Sequence, residues 1–454
     1  MTQTQVGNYR WSIVALLFFA TTINYMDRQV IGYLKPLFSK PPSEGGFGWT
    51  GTDFGNITTA FTFFYAGFTL LAGWIIDRIG TKLGLALSLM IWSVFGMLNA
   101  FCGSSVFNHA AVRSFFGLGE AGNFPASIKT VAEWFPKKER ALATGIFNSG
   151  SNVGAMIAAL VVPLIAYSVW FNGSIAGWQM AYLLTGAVGL IWLIFWFALY
   201  NPPSRLKKLS PAEYNYIHSD STNATTGKIT EEDKAKIPWF KLLRFAPTWS
   251  FVTGKFLTDG VWWFLLFWLP DYMSQQFHME GHQIMLPLFT VYGVGILGSI
   301  FGGGFPMFFI NRGMPVQRAR MTAMLIIALF PILLIFTQYF GNVERFGDHA
   351  YIYALTVICI AAAAHQAWSA NLFTTVSDMF PKKAVGSVTG IGGLMGGVGG
   401  AAVQQLQGRL SDHYKALGHI TTAYNILFAV CGFVYVIAWI IMYFLLKNRR
   451  MVTL

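Results

Sequence analysis

The chain of 454 residues is poor in charge, because Asp, Glu, Lys and Arg make up only 11% of it. Soluble globular proteins carry roughly 25% charged residues, so this chain has less than half of the usual solvating charge. A composition of this kind excludes an ordinary soluble enzyme. The 47 glycines follow no three-residue period, which also excludes a collagen-like chain.

Cysteine is equally scarce. The three cysteines, Cys102, Cys359 and Cys431, lie in apolar surroundings and have no CxxC spacing, so we expect them to pack rather than to form bridges. The sequence also lacks a histidine-rich metal motif, a paired nucleophile and base, and a phosphate-binding glycine loop. We therefore expect no metal, no cofactor and no enzymatic activity.

Hydrophobic residues are abundant: they make up 54% of the sequence, and the mean hydropathy is +0.50. About twelve apolar stretches reach the ~20 residues that a helix needs to cross a bilayer. In chain order, predicted spans 1 to 12 cover residues 11–34, 52–76, 83–101, 107–130, 141–168, 178–200, 247–275, 283–309, 318–339, 350–377, 385–410 and 420–447. The first stretch is too long for a signal peptide and has no small-residue cleavage site. The pattern predicts an all-α integral membrane protein.

One long polar segment interrupts the apolar stretches, at about residues 201–246. It divides the chain into an N-terminal bundle of six helices at 1–200, a linker at 201–246 and a C-terminal bundle of six helices at 247–454. Of the 31 lysines and arginines, 23 fall at the two termini or in the loops on the linker side, and five fall in the opposite loops. The positive-inside rule therefore predicts that both termini and the linker are cytoplasmic, in an inner (cytoplasmic) membrane. This distribution explains the basic charge without a nucleic-acid partner.

The two halves of the chain repeat each other. Residues 130–154 align without gaps on residues 375–399, an offset of 245, and 11 of the 25 positions are identical, including FPKK and TGI. Repetition between the halves of a twelve-span protein is typical of transporters in which two bundles rock about a site near the membrane midplane.

Six charged residues fall deep inside the predicted spans, at least six residues from either end: Asp27, Arg28, Arg113, Glu120, Lys255 and Asp259. A charge at the centre of a spanning helix costs about 2.5–3.5 kcal/mol on insertion scales, so each needs a partner or a function. Lys255 and Asp259 are candidates for the substrate site, and their one-turn spacing also suits a direct structural pair. Arg113 and Glu120 are two turns apart, too far for direct contact in a straight helix. If Asp27 and Glu120 take up protons, the cluster changes from neutral to positive and attracts an anion.

The loop between spans 2 and 3, GWIIDRIGTK at residues 73–82, resembles the signature of the major facilitator superfamily. The resemblance implies a major facilitator fold and a cytoplasmic gate, to which it assigns Gly73, Asp77, Arg78, Gly80 and Lys82. In such a gate the small residues permit close helix contacts, and Asp77 and Arg78 form contacts that hold the cytoplasmic side shut. A plain positive-inside loop is the alternative, above all for Lys82.

Four further segments resemble the anion:cation symporters of that superfamily, and in particular the hexuronate transporters. They are NYMDRQ in span 1, VRSFFGLGEAGNFPA in span 4, GKFLTDGVWWFLLFWLP in span 7 and AHQAWSAN in span 10. The resemblance implies that Asp27 and Glu120 couple transport to protons. It also implies that Arg28 and Arg113 bind a carboxylate, which a guanidinium can grip with two parallel bonds.

The resemblance further implies that Tyr25 and Tyr65 line the substrate site. Galactonate-type relatives have a glutamine in span 5, where this chain has Ser151. That departure favours a hexuronate over galactonate. Asn148 and Asn152 on the same span are further candidates for binding sugar hydroxyls.

The repeat offset also points to a histidine, because residue 120 plus 245 gives His365. A lone histidine in an apolar helix is commonly a satisfied hydrogen-bonding residue. Polar neighbours on the same span, Gln366, Ser369 and Asn371, make binding of sugar hydroxyls the sharper hypothesis.

Three function classes follow. The leading hypothesis is a proton-coupled importer of sugar acids, with hexuronates such as glucuronate or galacturonate as the expected substrates, that works as a monomer in the lipid bilayer. The second is a carrier of another organic anion, such as an aldonate or an aromatic acid. The third is a nonconducting membrane receptor, which the absence of a soluble output domain disfavours.

Overall fold

The structure, a computed structural model, describes residues 7–206, 208–219, 239–447 and 452. Within these residues helices are joined by turns and loops, and the β-structure consists of one isolated bridge, Trp170 to Ile175. The spans are Tyr9–Phe38, Gly51–Ile79, Thr81–Leu98, Val106–Glu120 with Asn123–Trp134, Lys137–Ala166, Gly177–Leu199, Ala246–Phe267 with Leu269–Phe277, Met285–Ile310, Val316–Leu329 with Thr337–Phe340, Ala350–Met379, Lys382–Ala416 and Ile420–Leu446. The predicted all-α membrane architecture is confirmed. The predicted linker lies partly, at residues 220–238, outside the described residues.

Among the described residues, nine spans are apolar enough along their length to be recognised as membrane helices by composition alone. The other three are spans 1, 4 and 7, which carry the six predicted intramembrane charges. Large apolar side chains such as Ile194, Phe301 and Phe444 are exposed on the outside of the bundles. Their exposure fits a surface that lipid covers.

Spans 4 and 7 are each broken, where a continuous helix was predicted. Span 4 breaks at Ala121 and Gly122, because Pro125 has no N–H to bond the carbonyl of residue 121. Span 7 breaks at Trp268, just before Pro270. Side chains of the same bundle bond carbonyls near that break: the Tyr292 hydroxyl donates to Leu265 at 3.1 Å.

The two ends of the molecule differ in how the bundles meet. We call the end where span 1 begins and span 12 ends the linker end, and the opposite one the distal end. The ion pairs between the bundles within the described chain, Lys35 with Asp271 and Lys40 with Glu280, both lie at the distal end. There the Asp412 carboxylate also accepts the backbone N–H groups of Gly51 and Thr52. The bundles are therefore closed against each other at the distal end.

The close approach of spans 2 and 11 supports this closure. A Cβ on Gly51 would lie 2.7 Å from the carbonyl oxygen of Gly408, so a larger residue does not fit there. Further along, the Gln404 amide oxygen accepts the hydroxyl of Thr58 at 3.2 Å. Small residues thus let two helices of different bundles touch along their distal halves.

The first described part of the linker, up to residue 219, is held by the N-terminal bundle. Glu213, which is buried, accepts the backbone N–H groups of Tyr9 and Arg10 at the first turn of span 1, at 3.2 and 3.0 Å. The Arg10 side chain also pairs with Glu139 at the first turn of span 5, at 2.9 Å. A carboxylate at a helix N-terminus satisfies free amides and is favoured by the helix dipole.

Candidate substrate and proton site

An ion pair between spans 1 and 4 lies at the centre of the candidate site. The Nε of Arg28 donates to Oε2 of Glu120 at 2.8 Å, and both side chains are almost fully buried. Nη2 of Arg28 also donates to Oδ1 of Asn24 at 3.3 Å. The guanidinium and the carboxylate therefore neutralise each other in this conformation.

Aromatic rings surround the Arg28 guanidinium. The rings of Tyr25 and Tyr65 lie 4.4 and 4.7 Å from its central carbon, and those of Trp263 and Phe61 lie 5.3 and 5.6 Å away. Ring faces attract a cation most strongly when water is excluded. Trp263 belongs to the C-terminal bundle, so Arg28 lies where the two bundles meet. The structure thus brings Tyr25 and Tyr65 to the same guanidinium.

Asp27 points away from Arg28, into the N-terminal bundle, as expected for neighbouring residues on a helix. Its buried carboxylate lies beside Thr185 and Trp92, and neither oxygen has a hydrogen bond of normal geometry within the described residues. Arg113 is near enough to act on it electrostatically. Nη1 of Arg113 donates to the backbone carbonyl of Arg28 at 3.2 Å. Asp27 and Arg113 therefore lie deeper in the N-terminal bundle than the Arg28–Glu120 pair.

The position of Arg113 differs from that of a residue lining a central opening. Its guanidinium is buried against Phe116 and Tyr182, at 4.8 and 5.8 Å from the ring centres, and both rings belong to the N-terminal bundle. Two of its nitrogens have no hydrogen-bond partner among the described residues. Arg113 is hydrogen-bonded to the backbone of Arg28, and its charge acts on both Asp27 and Glu120 without a described ion pair to either.

Lys255 and Asp259 form the second ion pair of the site, on span 7. Their Nζ and Oδ2 atoms are 2.5 Å apart, as the one-turn spacing predicted. Both side chains keep some exposure, and the carboxylate acts electrostatically on Tyr25 of the other bundle. A Cβ at Gly396 of span 11 would collide with the Asp259 carboxylate, so glycine makes room for it.

Polar groups of spans 5 and 10 adjoin the junction of the two bundles. Nε2 of Gln366 donates to Oδ1 of Asn152 across the bundles at 3.3 Å. Asn148 is exposed, and Ser151 donates to its backbone carbonyl at 2.7 Å. These amides and hydroxyls supply both donors and acceptors, as a sugar requires.

The other polar residues of span 10 have different surroundings. His365 is buried, stacks on Trp262 with ring centres 5.2 Å apart, and bonds the hydroxyl of Tyr435 at 2.6 Å. Ser369 is partly exposed. Asn371 is fully buried and donates to the carbonyls of Gly302 and Ala367 at 2.8 and 2.9 Å.

His365 and Asn371 therefore have protein partners inside the C-terminal bundle. Asn371 lies away from the junction, which removes the geometric basis for its predicted contact with sugar hydroxyls. Its amide instead satisfies backbone carbonyls in the membrane interior, where they have few other partners.

The predicted gate loop lies at the linker end. Asp77 pairs with Lys129 at 2.9 Å, and the Arg78 guanidinium lies 3.8 Å from the ring centre of Trp74. Lys82 donates to Asn201 at 3.0 Å. Gly80 has φ = +84°, a conformation that favours glycine, and Gly73 adjoins Pro125 of span 4. In this conformation the polar contacts named here join the loop to the N-terminal bundle and to Asn201 at the start of the linker.

Sequence reasoning missed the buried charges at the distal end. Lys35 lies just beyond predicted span 1, which was given as 11–34, but the helix continues to Phe38 and buries it. Its ammonium lies 2.7 Å from the Asp271 carboxylate and 4.9 Å from the Trp268 ring centre. The available signal was the uninterrupted run YLKPLF, in which a lysine is followed by further apolar residues.

Residues 17–404 match the family model described as Major Facilitator Superfamily. The chain belongs to this superfamily. It is 27% identical to the hexuronate transporter of Escherichia coli (strain K12) over 98% of this chain and 96% of that one. It is 28% identical to the galacturonate transporter of Dickeya chrysanthemi over 67% of this chain and 84% of that one. It is 25% identical to the D-galactonate transporter of E. coli O6:H1 (strain CFT073 / ATCC 700928 / UPEC), with 90% of each chain covered.

Solved structures of this superfamily share the fold. The crystal structure of a D-xylose–proton symporter superposes with a TM-score of 0.75 at 15% identity, covering 98% of this chain and all of that one. A bacterial homologue of the human lysosomal transporter Spinster gives 0.72 at 17% identity, with 98% of each chain covered. The protein is thus a major facilitator transporter rather than an enzyme, and the resemblance read from its motifs is confirmed.

Proposed function

We propose that this transporter imports sugar acids, most favourably hexuronates, together with protons, by alternating access across the inner membrane. The observation that carries the proposal is the buried Arg28–Glu120 pair at the junction of the bundles. A guanidinium that is already held by a carboxylate can exchange that partner for the carboxylate of a substrate. Protonation of Glu120 is the event that releases it.

Charge balance connects the proton to the anion. Arg28, Lys255 and Arg113 match Glu120, Asp259 and Asp27, so the cluster is neutral when all six are charged. An unpaired charge in the membrane interior is costly, which makes binding of a lone anion unfavourable. Uptake of one proton per substrate carboxylate keeps the occupied site neutral. The empty and loaded carriers are then both able to move.

The relatives support the substrate class. Three of them are named for hexuronate, galacturonate and galactonate, all of which are sugar acids. The exposed Asn148 and the Asn152–Gln366 pair provide groups for sugar hydroxyls beside the charged centre. Ser151 stands where galactonate-type relatives have a glutamine, which favours a hexuronate.

The orientation is part of the proposal. The linker end carries most of the basic residues, and we assign it to the cytoplasm. The distal end, where the bundles are closed, then faces the periplasm, and the conformation described here is closed to the outside. The gate residues Asp77 and Arg78 are expected to exchange their present partners for the C-terminal bundle when the linker end closes.

Counterflow in proteoliposomes tests the proposal directly. Vesicles loaded with unlabelled glucuronate, galacturonate, galactonate or an aromatic acid are diluted into labelled substrate, and accumulation is measured with and without an inward proton gradient. We expect exchange of hexuronates and gradient-driven net uptake. Exchange of an aldonate or aromatic acid alone would replace the substrate, and exchange of no anion would contradict the transport proposal.

A further inference from the structure

Span 4 carries a stripe of polar residues that points into the N-terminal bundle. Glu120, Asn123, Ser127, Thr130 and Trp134 follow one another at intervals of three or four residues. The last four therefore share one face of the helix Asn123–Trp134, and Glu120 ends the helix before it. All five are buried. We call them the inner stripe.

Span 1 contributes polar residues that face the part of the inner stripe nearest Glu120. Thr21 and Asn24 are fully buried, and the Asn123 amide donates to the hydroxyl of Thr21 at 3.3 Å. Asn24 in turn accepts from Arg28, the partner of Glu120. The polar groups therefore continue from the ion pair into the interior of one bundle.

Many of these polar atoms have no hydrogen-bond partner. Within the described residues this holds for Oε1 of Glu120, Nδ2 of Asn24, Oδ1 of Asn123, Oγ of Ser127, Oγ1 of Thr130 and Nε1 of Trp134. A buried polar atom without a partner costs about 1–3 kcal/mol. Six such atoms lie along the inner stripe and the part of span 1 that faces it. Water molecules can bridge them, as buried waters do for polar groups elsewhere.

The inner stripe ends beside a hydrogen-bonded cluster at the linker end. Thr130 lies beside the hydroxyl of Tyr200, which donates to Oε2 of Glu133 at 3.0 Å. Thr81 donates to the same carboxylate oxygen at 2.8 Å. Glu133 is partly exposed, so the cluster reaches the surface. Glu120 and Glu133 are thirteen residues apart on span 4, a separation that would be about 20 Å in an unbroken helix.

The direct way from Glu120 to the junction of the bundles is obstructed. Its side chain has no exposed area, one oxygen is held by Arg28, and the rings of Tyr25, Tyr65 and Trp263 surround that guanidinium. The second oxygen, Oε1, is free of Arg28. A proton on Glu120 therefore needs a route other than the one the substrate takes.

We infer that the inner stripe is a hydrated proton path between Glu120 and the linker end, separate from the substrate route. The proton leaves Oε1 of Glu120. Each water or hydroxyl along the inner stripe then accepts one proton and passes one on. Ser127, Thr130 and Tyr200 are the hydroxyl relays, and Glu133 releases the proton at the surface. The deprotonated Glu120 then pairs again with Arg28, in place of the departing substrate carboxylate. This inference rests on the proposed proton coupling.

Replacement of Thr130 by Val tests the path, because valine keeps the shape of threonine and removes its hydroxyl. Substrate-driven proton movement is followed with a pH dye inside proteoliposomes, and counterflow is measured in the same vesicles. We expect proton movement to fall about tenfold, since a positioned proton-transfer group contributes at least that much, while counterflow stays near the wild-type rate. Ser114→Ala is the matched control, because the Ser114 hydroxyl bonds the Ala110 carbonyl on the other side of Glu120.

Normal proton movement in a Ser127→Ala/Thr130→Val double variant would overturn the path while leaving the transport proposal intact. Wild-type vesicles in which substrate moves no protons would instead contradict the coupling itself. A second measurement needs no substitution, namely an experimental wild-type structure at a resolution that shows water. We expect waters hydrogen-bonded to Asn123, Ser127 and Thr130. An inner stripe without water, in which the side chains bond one another, would refute the path.

Discussion

The ammonium of Lys35 lies 2.7 Å from the Asp271 carboxylate, and this buried ion pair joins span 1 of one bundle to span 7 of the other. The hydroxyl of Tyr424 also donates to Asp271. The carboxylate is therefore fixed on the C-terminal bundle, and Lys35 is the partner that must leave when the distal end opens.

Asp271→Asn is expected to favour opening of the distal end. Removal of one partner of a buried ion pair costs about 3–5 kcal/mol, which corresponds to a shift of roughly 100-fold or more between two conformations. Spin labels at Ser43 and Lys415, on opposite bundles at the distal end, would report a longer distance. The exchanged pair Lys35→Asp/Asp271→Lys should bring the distance back towards the wild-type value, and no change in Asp271→Asn would remove the pair from the gate.

Arg28→Lys is expected to weaken sugar-acid binding although it keeps the charge. An ammonium cannot form two parallel bonds to a carboxylate, and a charge-assisted contact is worth about 1.5–3 kcal/mol, or roughly 10- to 150-fold in affinity. Arg113→Lys is the comparison, because Arg113 lies behind Arg28 and should affect binding less. Isothermal titration of the purified variants decides between the two, and a larger loss in Arg113→Lys would reverse their roles.

Glu120→Gln is expected to separate exchange from accumulation. Glutamine resembles the protonated carboxyl in shape but does not titrate, so the variant should bind substrate and exchange it across the membrane. Net uptake driven by a proton gradient should be lost, because the empty carrier cannot restore the Arg28 pair. Accumulation at the wild-type level, measured beside counterflow in the same vesicles, would return Glu120 to a structural role.

Two glycines of span 5 make a matched pair for stability. A Cβ at Gly154 would collide with the backbone carbonyl of Thr22, whereas a Cβ at Gly145 meets nothing within 4 Å. Gly154→Ala should therefore lose about 1–3 kcal/mol of stability by overpacking spans 1 and 5. Gly145→Ala should be neutral or slightly stabilising in a helix. Thermal unfolding in detergent compares them, and equal melting temperatures would contradict the close packing.

The sequence was sufficient to predict the helical fold, because apolar runs of membrane length and the distribution of Lys and Arg are local properties. It also identified the intramembrane charges, since each is conspicuous against its surroundings. The pairing of Arg28 with Glu120 could not be predicted from the sequence, because the two residues lie on different spans and their contact depends on how the helices are rotated. The burial of Lys35 was missed for a related reason: the end of a helix is less sharply defined than its centre.

The helix breaks were present in the sequence but were not used. Gly122 with Pro125, and Pro270 in span 7, are ordinary signals for an interruption. The inner stripe has the spacing of one helix face, yet spacing alone does not tell whether a polar atom has a partner. Only the packed structure distinguishes Ser114, whose hydroxyl is satisfied by a carbonyl, from Ser127, whose hydroxyl is not.

The Asp412 carboxylate, which accepts two backbone amides at the start of span 2, has a consequence for biosynthesis. Those amides emerge from the ribosome about 360 residues before their acceptor does, as the sequence separation requires. The N-terminal half is therefore completed while one of its helices still has free donors, and water or lipid headgroups must satisfy them until the second half is inserted. Docking of the two halves thus finishes a helix that was begun long before, and coexpression of the halves as separate polypeptides would supply the missing acceptor in trans.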